Sequence, residues 1–186
     1  MSTIVGLRCR DGVVVAGDRL QVRDGHVKSR DYEHVFDLSA DEGEVGAAAS
    51  GRNVGEFADE LEHALRSYRL DRGAVGSDAL ERLASDVAAE TGTEAIVATR
   101  DDDGRAGLAT VSADGAAHAD SPAVFGTGTS LALGVLEDRD VAEQSVSEAE
   151  TAVREVFEAV STRAPETGEE VDVWTLVDAD GERSDA

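Results

Sequence analysis

The chain has 186 residues and a formal net charge of −23, from 40 acidic against 17 basic residues. So few cations cannot neutralise phosphates, which excludes nucleic acids and anionic membranes as partners. Acidic residues occur along the whole chain, and most of their mutual repulsion is screened at molar salt, where the Debye length is about 3 Å. We therefore expect the protein to work in the cytoplasm of a salt-accumulating organism.

The first part of the chain is predicted to form a β-meander. Two apolar segments meet at the turn Asp11-Gly12, which is a strong signal for a β-hairpin. A second tight turn is expected at Asp24-Gly25, between Val22 and Val27. The other expected strands of this part lie over residues 3–10, 13–18, 34–38 and 45–49.

The middle of the chain changes from a strand pattern to a helix pattern. Apolar residues at spacings of three and four from Val54 to Tyr68 predict an amphipathic helix, and Ser77 is the expected N-cap of a second one. Beyond Gly92 the strand pattern returns, with strands expected over residues 95–99, 106–111 and 116–119.

The last third is predicted to hold two helices and a closing strand. The glycine-rich stretch Gly126–Ser130 leads into a short helix over residues 131–136, and we interpret it as a structural turn in preference to an anion-binding loop. Ser147 and Glu150 form a predicted capping box for the next helix. The closing strand and a frayed tail are expected over residues 171–177 and 182–186.

This order of elements predicts an α+β fold. Each predicted helix has a single apolar face, which must be buried against another layer. Two antiparallel sheets stacked face to face, with helices outside both, satisfy this requirement. We therefore predict a four-layer αββα sandwich that forms one domain over residues 1–186.

Ser2, directly after Met1, is the first candidate for chemistry. Removal of Met1 would leave a hydroxyl and a free α-amine on one residue, and the amine can accept the hydroxyl proton during nucleophilic attack. Most N-terminal serines are only exposed chain ends, so the rest of the sequence has to decide between the two interpretations.

Other classes of site find little support in the sequence. The four histidines lack the spacing of metal ligands, and the aspartate-rich turns lack the pattern of a calcium loop. The single Cys9 excludes an internal disulfide framework. No apolar run approaches the roughly twenty residues that span a bilayer, and no signal peptide is expected. We expect no metal, no cofactor and no membrane association.

Several motifs follow one another in an informative order. They are residues 2–6, Ala16-Gly17-Asp18, the strand at 34–38, the glycine-ended strand at 46–51 and Gly126–Thr129. Together they resemble proteasome β-type subunits and the bacterial HslV peptidase. The resemblance covers about residues 2–177 and implies the αββα sandwich of N-terminal-nucleophile hydrolases, which agrees with the predicted layers.

The resemblance also implies roles for individual residues. Ser2 lies where the family has its catalytic threonine, and Asp18 lies where an aspartate fixes the catalytic lysine. His34 replaces that lysine and could act as a general base oriented by Asp18. The Gly51 amide lies where the family binds the oxyanion of the reaction.

Supporting and substrate-binding positions follow from the same comparison. Thr127 and Thr167 replace two supporting serines, whereas Ala164 replaces a supporting aspartate. The expected specificity-pocket positions are Tyr32, Ala49 and Asn53.

Two functions are therefore open at this stage. The first is a hydrolase that cleaves peptide bonds in peptides or unfolded proteins with Ser2 after removal of Met1. The second is a catalytically silent paralogue that keeps the fold for assembly, as the loss of the lysine and of the second aspartate suggests. In both cases we expect a homo-oligomeric ring or a complex with other proteasome-type subunits.

Overall fold

The computed structural model describes residues 2–41 and 43–179 of the chain. The strands in this part are β1 (Ile4–Cys9), β2 (Gly12–Asp18), β3 (Gln21–Arg23), β4 (His26–Ser29), β5 (Val35–Asp37), β6 (Val45–Ser50), β7 (Glu94–Arg100), β8 (Ala106–Val111), β9 (Ala117–His118), β10 (Ala123–Phe125) and β11 (Val171–Val177). The α-helices are α1 (Val54–Arg72), α2 (Ser77–Thr91), α3 (Thr129–Leu136) and α4 (Val146–Ser161). The tail predicted at 182–186 lies outside the described residues.

Two antiparallel sheets form the middle of the fold. One has the strand order β10-β1-β2-β11, and the other has the order β5-β6-β7-β8-β9. Helices α1 and α2 pack on the five-stranded sheet, whereas α3 and α4 pack on the four-stranded sheet. The remaining strands, β3 and β4, form a separate hairpin. The predicted αββα sandwich is confirmed.

The alternation of side chains along β1 shows why the layers form. Val5 and Leu7 pack with the apolar face of α4, while Ile4 packs between the two sheets. Successive side chains of a strand point to opposite faces, so a strand with both faces apolar is buried between two layers. The same alternation in β2 places Val14 against the helices and Val15 between the sheets.

Helix α2 begins at Ser77, and its N-cap is Gly76 instead of the predicted Ser77. Two further local expectations differ from the structure. The capping box predicted at Ser147 and Glu150 is wrong, because the cap of α4 is Ser145 with Glu148. Both serines precede a glutamate by three residues, so the local pattern fits either register. Burial of Val146 and its N–H bond of 2.8 Å to Asp11 Oδ1 favour the earlier start.

The second difference is strand β10, which the sequence pattern did not indicate. Its three residues, Ala123–Phe125, are too few to show an alternation, and the pairing with β1 provides the hydrogen bonds that define the strand. Strand β10 matters for the site because it leads the following loop back to the start of β1.

The sheet register brings three chain segments to the start of β1. Pairing of Ile4 with Gly17 places Ser2 and Thr3 beside Asp18 at the end of β2. On the outer strands, β10 pairs Phe125 with Ile4, and β11 pairs Val171 with Asp18. The loops next to β10 and β11 therefore meet at the N-terminal end of β1.

We predict that Gly128→Ala destabilises the fold, since an added Cβ would lie 2.6 Å from Thr3 Oγ1 and 2.6 Å from Val160 Cγ1. Overpacking of this kind costs about 1–3 kcal/mol. The matched control is Gly134→Ala in α3, where an added Cβ meets no atom within 4 Å and should stabilise the helix by about 0.5–1 kcal/mol. Denaturant unfolding in molar salt measures both changes, and equal midpoints for the two variants would contradict the packing described here.

Candidate active site

Ser2 lies at the base of a cavity of about 240 Å³. Its side chain is buried, with a residue exposure of 2%, and its hydroxyl oxygen has no hydrogen-bond partner among the described residues. His34 and Gly51 line the same cavity. A buried hydroxyl without a partner is costly for the fold. Of the four such side-chain atoms among the described residues, Ser2 Oγ is the one that belongs to a residue lining this cavity.

Ser50 and Thr3 hold the backbone directly after the Ser2 side chain. The Ser50 hydroxyl donates a hydrogen bond of 2.9 Å to the carbonyl oxygen of Ser2. The Thr3 hydroxyl accepts a 3.0 Å bond from the Gly128 N–H and lies 2.7 Å from the Thr167 hydroxyl. These contacts come from β6, from the loop before α3 and from the loop before β11, so three elements fix the position of Ser2.

Asp18 is fully buried and binds backbone amides rather than the imidazole. One carboxylate oxygen accepts the Thr3 N–H at 2.8 Å, and the other accepts the Leu20 N–H at 2.8 Å. Burial raises the pKa of Asp18 to about 6, although the backbone hydrogen bonds act in the opposite direction. The Asp18 carboxylate therefore anchors the start of β1 next to the cavity.

His34 is oriented by the main chain of Asp18. Its Nδ1 lies 2.6 Å from the Asp18 carbonyl oxygen, which can only accept, so Nδ1–H is the donor. Burial lowers the pKa of His34 below its usual value of 6.5. Near neutral pH the imidazole is therefore uncharged, and Nε2 is the nitrogen that can accept a proton. The Tyr32 ring packs beside it, with 4.9 Å between ring centroids.

Gly51 closes the other side of the cavity. It follows β6 directly and has a φ of 144°, a conformation that a residue with a Cβ rarely adopts. This conformation turns the chain at the end of β6, where Ser50 already contacts the Ser2 backbone. The role of its amide as an oxyanion donor stays a prediction.

Four other predicted site residues lie away from this cavity. Thr127 is exposed, and it does not line the cavity with Ser2. Tyr32 lines a neighbouring cavity of about 450 Å³. Ala49 is fully buried and donates its N–H to the His34 carbonyl at 2.9 Å. Asn53 donates from Nδ2 to the Thr91 carbonyl at 2.8 Å. Their catalytic and substrate-binding roles stay predictions.

The cavity has other lining residues that the sequence did not single out as site residues. They are Gln21, Val22, Arg23, Asp24, Arg52 and Glu166. The position of Arg52 directly after Gly51 was the one available signal. The remaining charged residues are inconspicuous in a chain with 31% charged residues, and only the fold brings them to the cavity.

Two searches of the described residues gave negative results. No group of three or more His, Cys, Asp or Glu side chains there is arranged to hold a metal ion. No helix within residues 2–41 and 43–179 has the length and apolar character needed to cross a membrane.

Comparison with known proteins identifies the family. A family model described as proteasome subunit matches residues 1–176. The chain belongs to the proteasome subunit family. It is 27% identical over 181 residues to a proteasome subunit beta of Haloquadratum walsbyi, covering 95% of this chain and 74% of the relative. A proteasome subunit beta of Halorubrum lacusprofundi is 26% identical over the same shares of the two chains.

The raised pKa of Asp18 predicts a specific dependence of stability on pH. The folded protein holds this proton up to about pH 6, whereas an unfolded aspartate releases it near pH 3.9. The stabilisation is complete below the unfolded pKa and is lost as pH rises through the folded pKa, in total about 3 kcal/mol.

The measurement is the difference in unfolding free energy between the unmodified chain and Asp18→Asn from pH 4 to pH 7. The other carboxylates are common to both proteins and cancel in this difference. We expect the unmodified chain to lose stability relative to the variant across this range. A difference that stays constant with pH would contradict the buried state of Asp18.

Proposed function

We propose that this proteasome-type subunit hydrolyses peptide bonds with Ser2 as an N-terminal nucleophile, after removal of Met1. The observation that carries the proposal is the buried Ser2 hydroxyl, which has no hydrogen-bond partner among the described residues and shares a cavity with His34 and Gly51. Membership of the proteasome subunit family supports it, together with the resemblance by which Ser2 corresponds to the family's catalytic threonine.

The proposed reaction has two halves. Ser2 Oγ attacks the carbonyl carbon of the substrate, and its proton passes to the Ser2 α-amine or to His34 Nε2. The oxyanion that forms is stabilised by the Gly51 N–H. Breakage of the C–N bond transfers the proton to the leaving amine and leaves an acyl ester on Ser2. Water then attacks this ester and loses a proton to the same base, which passes it to Ser2 Oγ as the carboxylic acid leaves.

His34 changes how the nucleophile is activated. A lysine at this position would contribute a permanent positive charge that favours the deprotonated hydroxyl. A neutral imidazole cannot do this, but its Nε2 can take the proton directly. The hydrogen bond from Nδ1–H to the Asp18 carbonyl fixes the tautomer that leaves Nε2 unprotonated.

The alternative is a silent subunit that contributes only to assembly, and one observation favours it. Ala164 is buried among apolar side chains of the helical layer, so the position of the second supporting carboxylate has no polar group. The two functions give opposite results in the experiment on Ser2 described below.

We propose that the protein works in a salt-rich cytoplasm. We also propose that it assembles into a ring of identical copies or into a complex with other proteasome-type subunits. The net charge of −23 supports the first, because an acidic surface of this kind is screened at molar salt. Family membership supports the second. Peptides or unfolded proteins are the proposed substrates.

The first test is Ser2→Ala in molar salt. Intact mass should show that Met1 is absent and that the Ser2 amine is free, and the unmodified chain should cleave peptides slowly. Ser2→Ala removes the nucleophile, so turnover should fall at least about 1,000-fold, whereas Ser2→Thr keeps the hydroxyl and retains activity. The matched control is Ser130→Ala, an exposed serine on α3.

Three results would refute the proposal. These are retention of Met1, acetylation of the Ser2 amine, and equal turnover by the chain and by Ser2→Ala. Retention of Met1 or acetylation of the Ser2 amine would support the silent subunit instead, and equal turnover would show that this site is not responsible for the activity.

The second test concerns His34. Loss of a general base lowers the rate about 100- to 10,000-fold, so we expect His34→Gln to show such a decrease. The pH–rate profile should also lose the limb that rises below pH 6.5 as the imidazole of the unmodified chain becomes neutral. His63→Gln, at an exposed position on α1, is the control. An unchanged profile in His34→Gln would assign proton transfer to the α-amine alone.

A further inference from the structure

Three hydrogen bonds hold the segment that leads into β5 against the end of β2. Arg19 Nη1 donates to Asp31 Oδ1 at 2.6 Å. The Tyr32 N–H donates to the Arg19 carbonyl at 2.9 Å. His34 Nδ1–H donates to the Asp18 carbonyl at 2.6 Å. Two consecutive residues, Asp18 and Arg19, therefore fix the segment that carries the imidazole.

Arg19 is itself anchored to the segment that starts β11. Its Nε lies 2.9 Å from both carboxylate oxygens of Asp172, and its Nη2 lies 2.8 Å from Asp172 Oδ1. A guanidinium that meets a carboxylate through more than one N–H group has a fixed orientation. The Arg19 N–H also donates to the Glu170 carbonyl at 3.0 Å. Both the side chain and the main chain of Arg19 are thus bound to the same segment.

The main-chain bond of Arg19 matters for His34 because the peptide group is planar. The carbonyl that accepts from His34 and the N–H that donates to Glu170 belong to one peptide unit, between Asp18 and Arg19. In a planar unit, a fixed N–H on one side also fixes the carbonyl on the other. The contact of Arg19 with the start of β11 therefore determines where the Nδ1–H of His34 finds its acceptor.

The Arg19–Asp172 ion pair differs from a pair within one helix. Arg154 and Glu150, for example, are four residues apart on α4, and both side chains are exposed. Such pairs contribute little to stability. Arg19 and Asp172 are 153 residues apart, and the Asp172 side chain is only 27% exposed. This pair therefore joins two distant segments directly beside Asp18.

We propose that Arg19, held by Asp172, is a positioning residue that keeps the His34 imidazole in the orientation and tautomer needed to take a proton from Ser2. The inference rests on the proposed function. Arg19 lines a different cavity, of about 320 Å³, so it acts through His34 and does not touch the reacting atoms. Displacement of a catalytic group by about 1 Å can lower a rate roughly 100-fold, which makes such positioning significant.

The first test measures the tautomer of His34 by ring-nitrogen NMR in Ser2→Ala, in molar salt at about pH 8. Burial lowers the pKa of His34, so the imidazole is neutral there. With Arg19 present we expect the Nδ1–H tautomer alone. Folded Arg19→Gln and Asp172→Asn should each give a mixture of both tautomers, and Arg19→Lys a smaller admixture, since lysine keeps the charge but not the paired geometry. The control Arg154→Gln, which removes the exposed pair on α4, should change nothing.

Two results of this measurement would overturn the inference. One is a mixture of tautomers when Arg19 and Asp172 are both present. The other is the Nδ1–H tautomer alone in folded Arg19→Gln or folded Asp172→Asn. Either of these variants decides the question if the other does not fold, and the signals of His34 are identified by their loss in His34→Gln.

The second test measures peptide cleavage with Ser2 present. Arg19→Gln should lower kcat about 10- to 100-fold, with little change in KM, because Arg19 does not touch the substrate. A fall in kcat with an unchanged tautomer would overturn the inference, since the loss would not act through His34. A changed tautomer with an unchanged kcat would overturn it as well, since the orientation of His34 would not affect the reaction.

The two tests together separate this inference from the proposed function. A tautomer that depends on Arg19, in a chain with a free Ser2 that cleaves no peptide, supports the positioning of His34 and refutes the hydrolase. Cleavage by the unmodified chain, with both tautomer and kcat unchanged in Arg19→Gln, does the reverse.

Discussion

The hydrogen bond from the Thr3 N–H to the buried Asp18 carboxylate connects the start of β1 to the end of β2, and the site is built around this connection. The side chain of Thr3 then meets Gly128 and Thr167, which belong to loops that the outer strands bring to the same place. Ser2 is thus held at the base of a cavity by its neighbour in sequence. Its own hydroxyl has no partner among the described residues.

His34 lies in the same cavity as Ser2, and its surroundings determine its charge. Burial favours the neutral imidazole, and the carbonyl of Asp18 directs one ring nitrogen away from the reaction. Under the proposed function, this imidazole can accept the proton of the Ser2 hydroxyl but adds no positive charge beside it near neutral pH.

The fold could be predicted from the sequence because the residue patterns that define its turns, helices and strands are local. The Asp11-Gly12 turn, the two helical patterns and the closing strand Val171–Val177 each occupy a continuous segment. The spacing from Ser2 to Asp18 followed from the hairpin. The cavity could not be predicted in the same way, since Arg23, Arg52 and Glu166 come from three segments that only the tertiary structure joins. The use of the Asp18 carbonyl, not its carboxylate, to orient His34 also depends on backbone geometry that no residue pattern encodes.

Covalent trapping of the acyl intermediate tests the central claim most directly. The chain, purified in molar salt, is incubated with a slowly hydrolysed peptide ester, and the modified residue is located by mass spectrometry. Our account predicts one acyl group on the Ser2 hydroxyl in chains without Met1 and none at Ser2 in chains that retain Met1. An acyl group on a different residue, or no modification of chains with a free Ser2, would contradict it.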